Sequence, residues 1–134
     1  MTTFGAIGIA STGMTVHRKW LDAVSDNLAN QNTVSSTDEE AYRAKYVVAS
    51  EISAENGGGV QVAGIALGSA EGRLVHDPTN PLADEDGYVR YPDVDMASQM
   101  TQLIIAQRGY QANAAVVDRA RASYEAALQI GRNS

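Results

Sequence analysis

Residues 96–130, MASQMTQLIIAQRGYQANAAVVDRARASYEAALQI, carry an apolar side chain at every seventh position: Met96, Leu103, Tyr110, Val117 and Tyr124. Two turns of α-helix advance about seven residues, so this spacing predicts one long helix with a narrow apolar seam. Asp93 or Asp95 can cap its start just after Pro92, and Gly131 is placed to end it near Ile130. Gly109 inside the helix costs about 1 kcal/mol relative to Ala, which points to close packing against another backbone.

The same period appears at the other end of the chain, in Ile7, Met14, Leu21 and Leu28, with Ala10, His17 and Val24 three residues further on. A helix over residues 4–30 follows, with Asn30 and Asn32 as terminators. At 1.5 Å per residue such a helix is on the order of 40 Å long. Two narrow stripes bury too little to hold helices of this length alone, so both ends are expected to be poorly ordered in the free monomer and to become helical beside other chains.

Between the helices the pattern changes. Residues 32–40 are rich in Ser, Thr and Asp and read as a loop. Residues 42–52 hold β-branched and aromatic side chains, residues 60–65 alternate after the break at Gly57, Gly58 and Gly59, and residues 73–76 and 87–91 are short strand candidates. Residues 77–95, DPTNPLADEDGYVRYPDVD, form a turn-rich connector in which three prolines forbid helix and the Asp86–Gly87 pair favours a tight turn. The fold class is therefore mainly α with a small antiparallel β insertion, the long N- and C-terminal helices forming a coiled coil. The organisation is residues 1–31 (first helix), 32–92 (loop, β domain and connector) and 93–134 (last helix).

The chain has 134 residues, room for one domain or for a small domain with helical ends that need partners. A formal net charge of -6 argues against nonspecific nucleic-acid binding, which requires clustered Lys and Arg. The charge is uneven: residues 71–95 are strongly acidic, whereas Arg108, Arg119, Arg121 and Arg132 leave the last helix mildly positive, a polarity that head-to-tail contacts between copies could use. With no cysteine, neither a disulfide framework nor a thiolate metal site is possible. The apolar opening, residues 1–16, lacks a basic n-region, is interrupted by Gly5, Gly8 and Gly13, and is too short to span a bilayer, so neither a cleaved signal nor direct membrane insertion is expected.

No catalytic constellation emerges. Asp84, Asp86 and Gly87 fit three positions of a calcium loop, but Leu82 stands at its first position and Asp93 at its last, which leaves a solvated acidic turn. His17 and His76 have no second ligand at metal spacing, and His17 falls on the first helix's stripe as a packing residue while His76 ends a strand. The triglycine lacks the following Lys and helix of a phosphate loop. Tyr110 and Tyr124 could stack on a base, yet their heptad spacing in an acidic chain makes them helix-packing residues. Catalytic residues, cofactors and metals are accordingly assigned as none.

Three segments carry a resemblance: Asp26, Asn27, Leu28, Ala29 and Asn30 leading to Thr33; the connector at residues 77–95; and Tyr110, Gln111, Ala112 and Asn113. Together they resemble the flagellar rod, hook and axial protein family, and the short length with the Asn80–Val89 block is most similar to its short proximal-rod members. The resemblance implies a structural subunit of the basal-body rod, exported through the flagellar type III apparatus. Its terminal helices would pack together and against neighbours to line a hollow shaft that transmits torque, and its small middle domain would face outward. Implied partners are other proximal-rod proteins, the adaptor to the membrane ring, the distal rod and the export apparatus. The assembly interface is assigned to Ile7, Met14, Leu21, Val24, Leu28, Asn30, Met96, Met100, Leu103, Tyr110, Asn113, Val117, Tyr124 and Leu128. The alternatives are another flagellar axial component, or a non-enzymatic module that dimerises through its helices.

Overall fold

A helix of 27 residues, α1 (Thr3–Ala29), opens with Thr2 as its N-cap, the Thr2 hydroxyl accepting from the Gly5 amide at 3.0 Å, and closes at Asn30. A computed structural model of the protein describes residues 2–134; Met1, in the apolar opening stretch, lies outside them. The last helix, α2 (Met96–Asn133), has 38 residues. Of the two candidate caps Asp95 serves, its Oδ2 accepting from the Ser98 amide at 3.0 Å. Gly131 does not end α2 as expected, and the helix runs through it to Asn133. Glycine lowers helix propensity but does not break an established helix, and Ser134 supplies a hydroxyl to the Gly131 carbonyl at 3.2 Å.

Four strands lie between the helices: β1 (Lys45–Glu51), β2 (Val60–Leu67), β3 (Arg73–His76) and β4 (Tyr88–Tyr91). The single small sheet expected from the sequence is instead two separate antiparallel hairpins, β1–β2 and β3–β4. In the first, Val48 faces Gly64 and Ala49 faces Val62, so Ala63 is an extra residue and the ladder carries a bulge. The turn of this hairpin passes through Gly57, Gly58 and Gly59, all at positive φ (97°, 73° and 112°), where any residue with a Cβ would be strained. The connector is more structured than its prolines suggested. Its residues 77–87 form the loop of the β3–β4 hairpin, and Ser35 bridges to Arg90 through reciprocal backbone bonds of 2.9 Å.

Both hairpins are held by arginines bonded to backbone carbonyls. Arg43 Nε donates to Gly68 O (3.0 Å), and Arg90 donates through Nε to Thr37 O (3.1 Å) and through Nη1 to Glu71 O (2.8 Å). These bonds fix loop carbonyls that no strand partner reaches. The β1–β2 hairpin lies on α1: the Thr12 hydroxyl accepts from the Val60 amide at 3.1 Å and packs against Gly59.

The core is thin, as the composition implied. Its buried apolar side chains are Ala10, Val16, Ala23, Val24, Ala41, Ala44, Val89, Val94 and Ala106, with no large aromatic among them. Val24, 1% exposed, is the more completely buried of the two core valines on the helices, and burying such a side chain stabilises by roughly 1.5–3 kcal/mol.

Candidate assembly interface

The two helices pack side by side and antiparallel, as the order of their contacts shows: Phe4 meets Tyr124, Gly13 meets Asn113, His17 meets Gly109, Trp20 meets Gln102 and Asn27 meets Gln99. At the middle of this hairpin each helix presents a glycine and, four residues on, a polar side chain. His17 Nδ1 is bonded to Gly13 O (2.7 Å) and Asn113 Nδ2 to Gly109 O (2.8 Å), so each side chain folds back over its own turn. Each then covers the other helix's glycine. A Cβ on Gly13 would lie 2.7–2.8 Å from the Asn113 amide, and one on Gly109 would collide with the His17 ring. The close packing foreseen at Gly109 is thus real, and it is half of a reciprocal pair.

Nearer the closed end, Asn27 is fully enclosed. Its Nδ2 donates to Lys45 O (2.9 Å) and Gln99 Oε1 (3.0 Å), and its Oδ1 accepts from Lys45 N (2.8 Å) and the Tyr42 hydroxyl (3.1 Å). Two donors and two lone pairs exhaust what an amide can do. One side chain therefore ties α1, the start of β1 and α2 together, with Gln99 itself only 2% exposed. Burial raises the Tyr42 pKa, and the hydrogen bond from Lys45 to Asp26 (2.8 Å) raises that of the exposed Lys45 ammonium.

The line of contact is not the seven-residue seam. Among the residues assigned to it, Ile7, Met14, Leu21, Leu28, Asn30, Leu103, Tyr110, Asn113 and Val117 are half-buried, and Met96, Met100, Tyr124 and Leu128 are exposed. Val24 makes its contacts within its own chain. The contact line on α2 instead runs through Gln99, Ala106 and Asn113, which keep the seven-residue spacing but stand three residues on from Met96, Leu103 and Tyr110. Met96, 54% exposed, lies off the inner face, where Gln99 and Ala106 are buried. Sequence reasoning missed Gly13, Gln99 and the structural weight of Asn27, because an apolar count does not register small or amide side chains. The signal available was the pair of spacings Gly13-x-x-x-His17 and Gly109-x-x-x-Asn113.

The far end of the hairpin is bare. α1 begins at Thr3, and every residue of α2 from Arg121 onward is exposed, including Leu128 and Ile130. Met96, Met100 and Ile104, at i, i+4 and i+8, form a second exposed apolar row on the same helix. Between α1 and the β1–β2 hairpin lies an open apolar pocket of about 290 Å³ lined by Val16, His17, Trp20, Val47, Ala49 and Val60.

The remaining candidate groups have partners within the fold. Asp84 Oδ1 accepts from the amides of Tyr88 (2.8 Å) and Asp86 (3.0 Å), and the Tyr88 bond is the main cause of a lowered Asp84 pKa. His76 ends β3 and meets the Tyr88 ring edge-on at 5.1 Å. Among the described residues no group of three or more His, Asp or Glu is placed to hold a metal ion, and no helix is long and apolar enough to cross a membrane.

The chain is thus a hairpin of two long helices around a small β region, with apolar rows of α2 uncovered. Comparison with known proteins gives this form a family. The family model described as flagellar basal body rod FlgEFG protein C-terminal matches residues 85–130, a span containing β4 and most of α2. The flagellar basal-body rod protein FlgC of Yersinia enterocolitica is 38% identical over 135 residues, covering 98% of this chain and 100% of the relative. That of Escherichia coli O6:H1 is 36% identical with the same coverage, and that of Bacillus subtilis 31% identical over 150 residues, again covering 98% of this chain and 100% of the relative. Identity at this level over the whole of each relative, from hairpin tip to hairpin tip, means that the chain belongs to the FlgC family of flagellar basal-body rod proteins.

Proposed function

We propose that this chain is a subunit of the proximal part of the rod, and that its helix hairpin packs side by side with those of neighbouring subunits into a coiled-coil-like wall around the export channel. As a FlgC-family protein it is a structural protein of the flagellar basal-body rod. The role proposed involves no catalytic step and no cofactor. Its partners are other proximal-rod proteins, the adaptor to the membrane ring and the distal rod, and it reaches them through the flagellar type III export apparatus.

The observation that carries this reading is the apolar surface the chain leaves uncovered on α2: Met96, Met100 and Ile104 at one end, Leu128 and Ile130 at the other. Torque passes through such a wall without slip when each subunit grips several neighbours at once, and these rows offer grips at both ends of one helix. Because they lie on different parts of the helix they favour unlike surfaces meeting one another, as in an open helical array, over the single self-complementary patch of a closed dimer.

Cells lacking the gene should be without rods and non-motile, and the intact chain should restore both. Met100→Asp, at an exposed position, should be secreted at the normal level yet be absent from purified basal bodies. Normal swimming with Met100→Asp would remove the α2 row from the interface, and flagella that form without the gene would overturn the rod role.

A further inference from the structure

We propose that the final turns of α2 in one copy of this chain dock on the pocket between α1 and the β1–β2 hairpin of a second copy, with Leu128 entering the pocket and Arg132 pairing with Glu51 at its rim. The inference rests on the rod role proposed above and names one contact within it.

The donor side is a row that outruns its own partner. Tyr124, Leu128 and Arg132 recur at i, i+4 and i+8 and therefore share one stripe of α2. Tyr124 still has α1 beside it, its ring meeting Phe4 at 5.1 Å in an edge-on contact. α1 begins one residue before Phe4, so the stripe continues past the end of its cover, and Leu128 is left 50% exposed. Arg132 makes no ion pair: among the described residues the only pairs are Lys45–Asp26 and Arg121–Glu125.

The acceptor side is complementary in both respects. Its lining is mainly apolar and carries no charged carboxylate, ammonium or guanidinium group, and about 290 Å³ is enough for a branched aliphatic side chain. Val47, Ala49 and Glu51 alternate onto one face of β1, and Glu51 stands opposite Val60 in the ladder, so the exposed Glu51 carboxylate sits beside the pocket wall formed by Val47, Ala49 and Val60. An arginine one turn after a leucine presents a charge next to the apolar group it follows, which is the arrangement of Glu51 next to this pocket.

The contact must form between copies. Val16, in the pocket wall, lies thirteen residues inside α1 from Thr3, roughly 20 Å along the helix axis at 1.5 Å per residue, and α2 runs antiparallel, carrying Leu128 away from it. Pocket and helix end are different surfaces, so the contact is heterologous and leaves each copy with a free donor and a free acceptor.

The absence of native cysteine allows a direct test. Ala49→Cys and Leu128→Cys are co-expressed as two separately tagged copies, and isolated basal bodies are oxidised. The expected result is a disulfide-linked dimer carrying both tags, because bridging requires the two Cα atoms to come within about 7 Å. Glu51→Arg or Arg132→Glu added to the matching copy should lower the dimer yield by up to about fivefold, as the loss of an exposed ion pair would, and the two charge changes together should restore it. Basal bodies that contain both tagged copies without the dimer, or with a cross-link only to a different rod protein, would overturn the contact while leaving the rod role intact. Absence of the unmodified chain from basal bodies would instead overturn the rod role itself.

Discussion

At the closed end of the helix hairpin Asn27 is fully enclosed and uses all four of its hydrogen-bonding positions on Lys45, Tyr42 and Gln99, whereas at the open end every residue of α2 from Arg121 onward is exposed. One pair of helices thus has an end specified by polar burial and an end with apolar side chains and no cover. The difference separates two tasks. The closed end ties the helices to each other within one chain, and the open end is the surface proposed above for other chains. Directional bonds suit the first task because an amide enclosed in the wrong register would lose its partners. Non-directional apolar contact suits the second, where several neighbours must be met.

On folding stability, the largest effect is expected at the closed end. Asn27→Ala leaves the buried Gln99 amide oxygen without its bond and frees the Lys45 backbone groups, and should cost about 3 kcal/mol in urea unfolding. Because Asn27 and Gln99 share one network, adding Gln99→Ala should cost much less than it does alone. A loss within 0.5 kcal/mol for Asn27→Ala would show that the network does not set the register.

The next effect lies at the middle of the hairpin. Gly109→Ala gains about 1 kcal/mol of helix propensity but drives a methyl group into the His17 ring, a strain costing roughly 1–3 kcal/mol. The substitution should therefore be neutral to destabilising in thermal melts with His17 present and stabilising in a His17→Ala background. The same reversal is expected for Gly13→Ala with and without Asn113→Ala.

Much of this division could be read from the sequence, and the part that could not has a physical cause. Two long helices, the strands at residues 60–65 and 73–76, the turn after Asp86 and the close approach at Gly109 all followed from local chemistry. The split into two hairpins did not, because two short β pairs and one four-stranded sheet share the same alternation, and the residue that takes the second edge of β4, Ser35 at Arg90, lies in a loop far away in sequence. The seam misled in one respect: the seven-residue period holds, but the positions of α2 turned towards α1 are Gln99, Ala106 and Asn113, three residues on from Met96, Leu103 and Tyr110, and an apolar count passes over amide and small side chains. The expectation that chiefly neighbours cover the helices underrated how closely glycines let two backbones approach. With Gly13 and Gly109 at the crossing, the chain brings its helices together along α1 by itself.

A smaller effect tests the connector, which belongs to neither end. The Tyr88 amide holds the Asp84 carboxyl below the usual aspartate range, so Asp84 stabilises the β3–β4 loop above its ordinary pKa of about 3.9, and that stabilisation is lost as the pH falls through the lowered folded value. Asp84→Asn should melt below the parent at neutral pH, with the gap closing on acidification towards pH 2. A gap independent of pH would assign the effect to the shape of the turn.

The smallest effect on folding is expected at the open end. Leu128→Asp should change the unfolding free energy by no more than about 0.5 kcal/mol, since its site has no cover within the chain. The decisive measurement is the occupancy of purified basal bodies by Leu128→Asp, set beside that unchanged stability and normal secretion. Stable, secreted chain that fails to enter the rod is the expected result. Rods filled to the normal level by Leu128→Asp would contradict it, because the bare end would then have no part in holding neighbours.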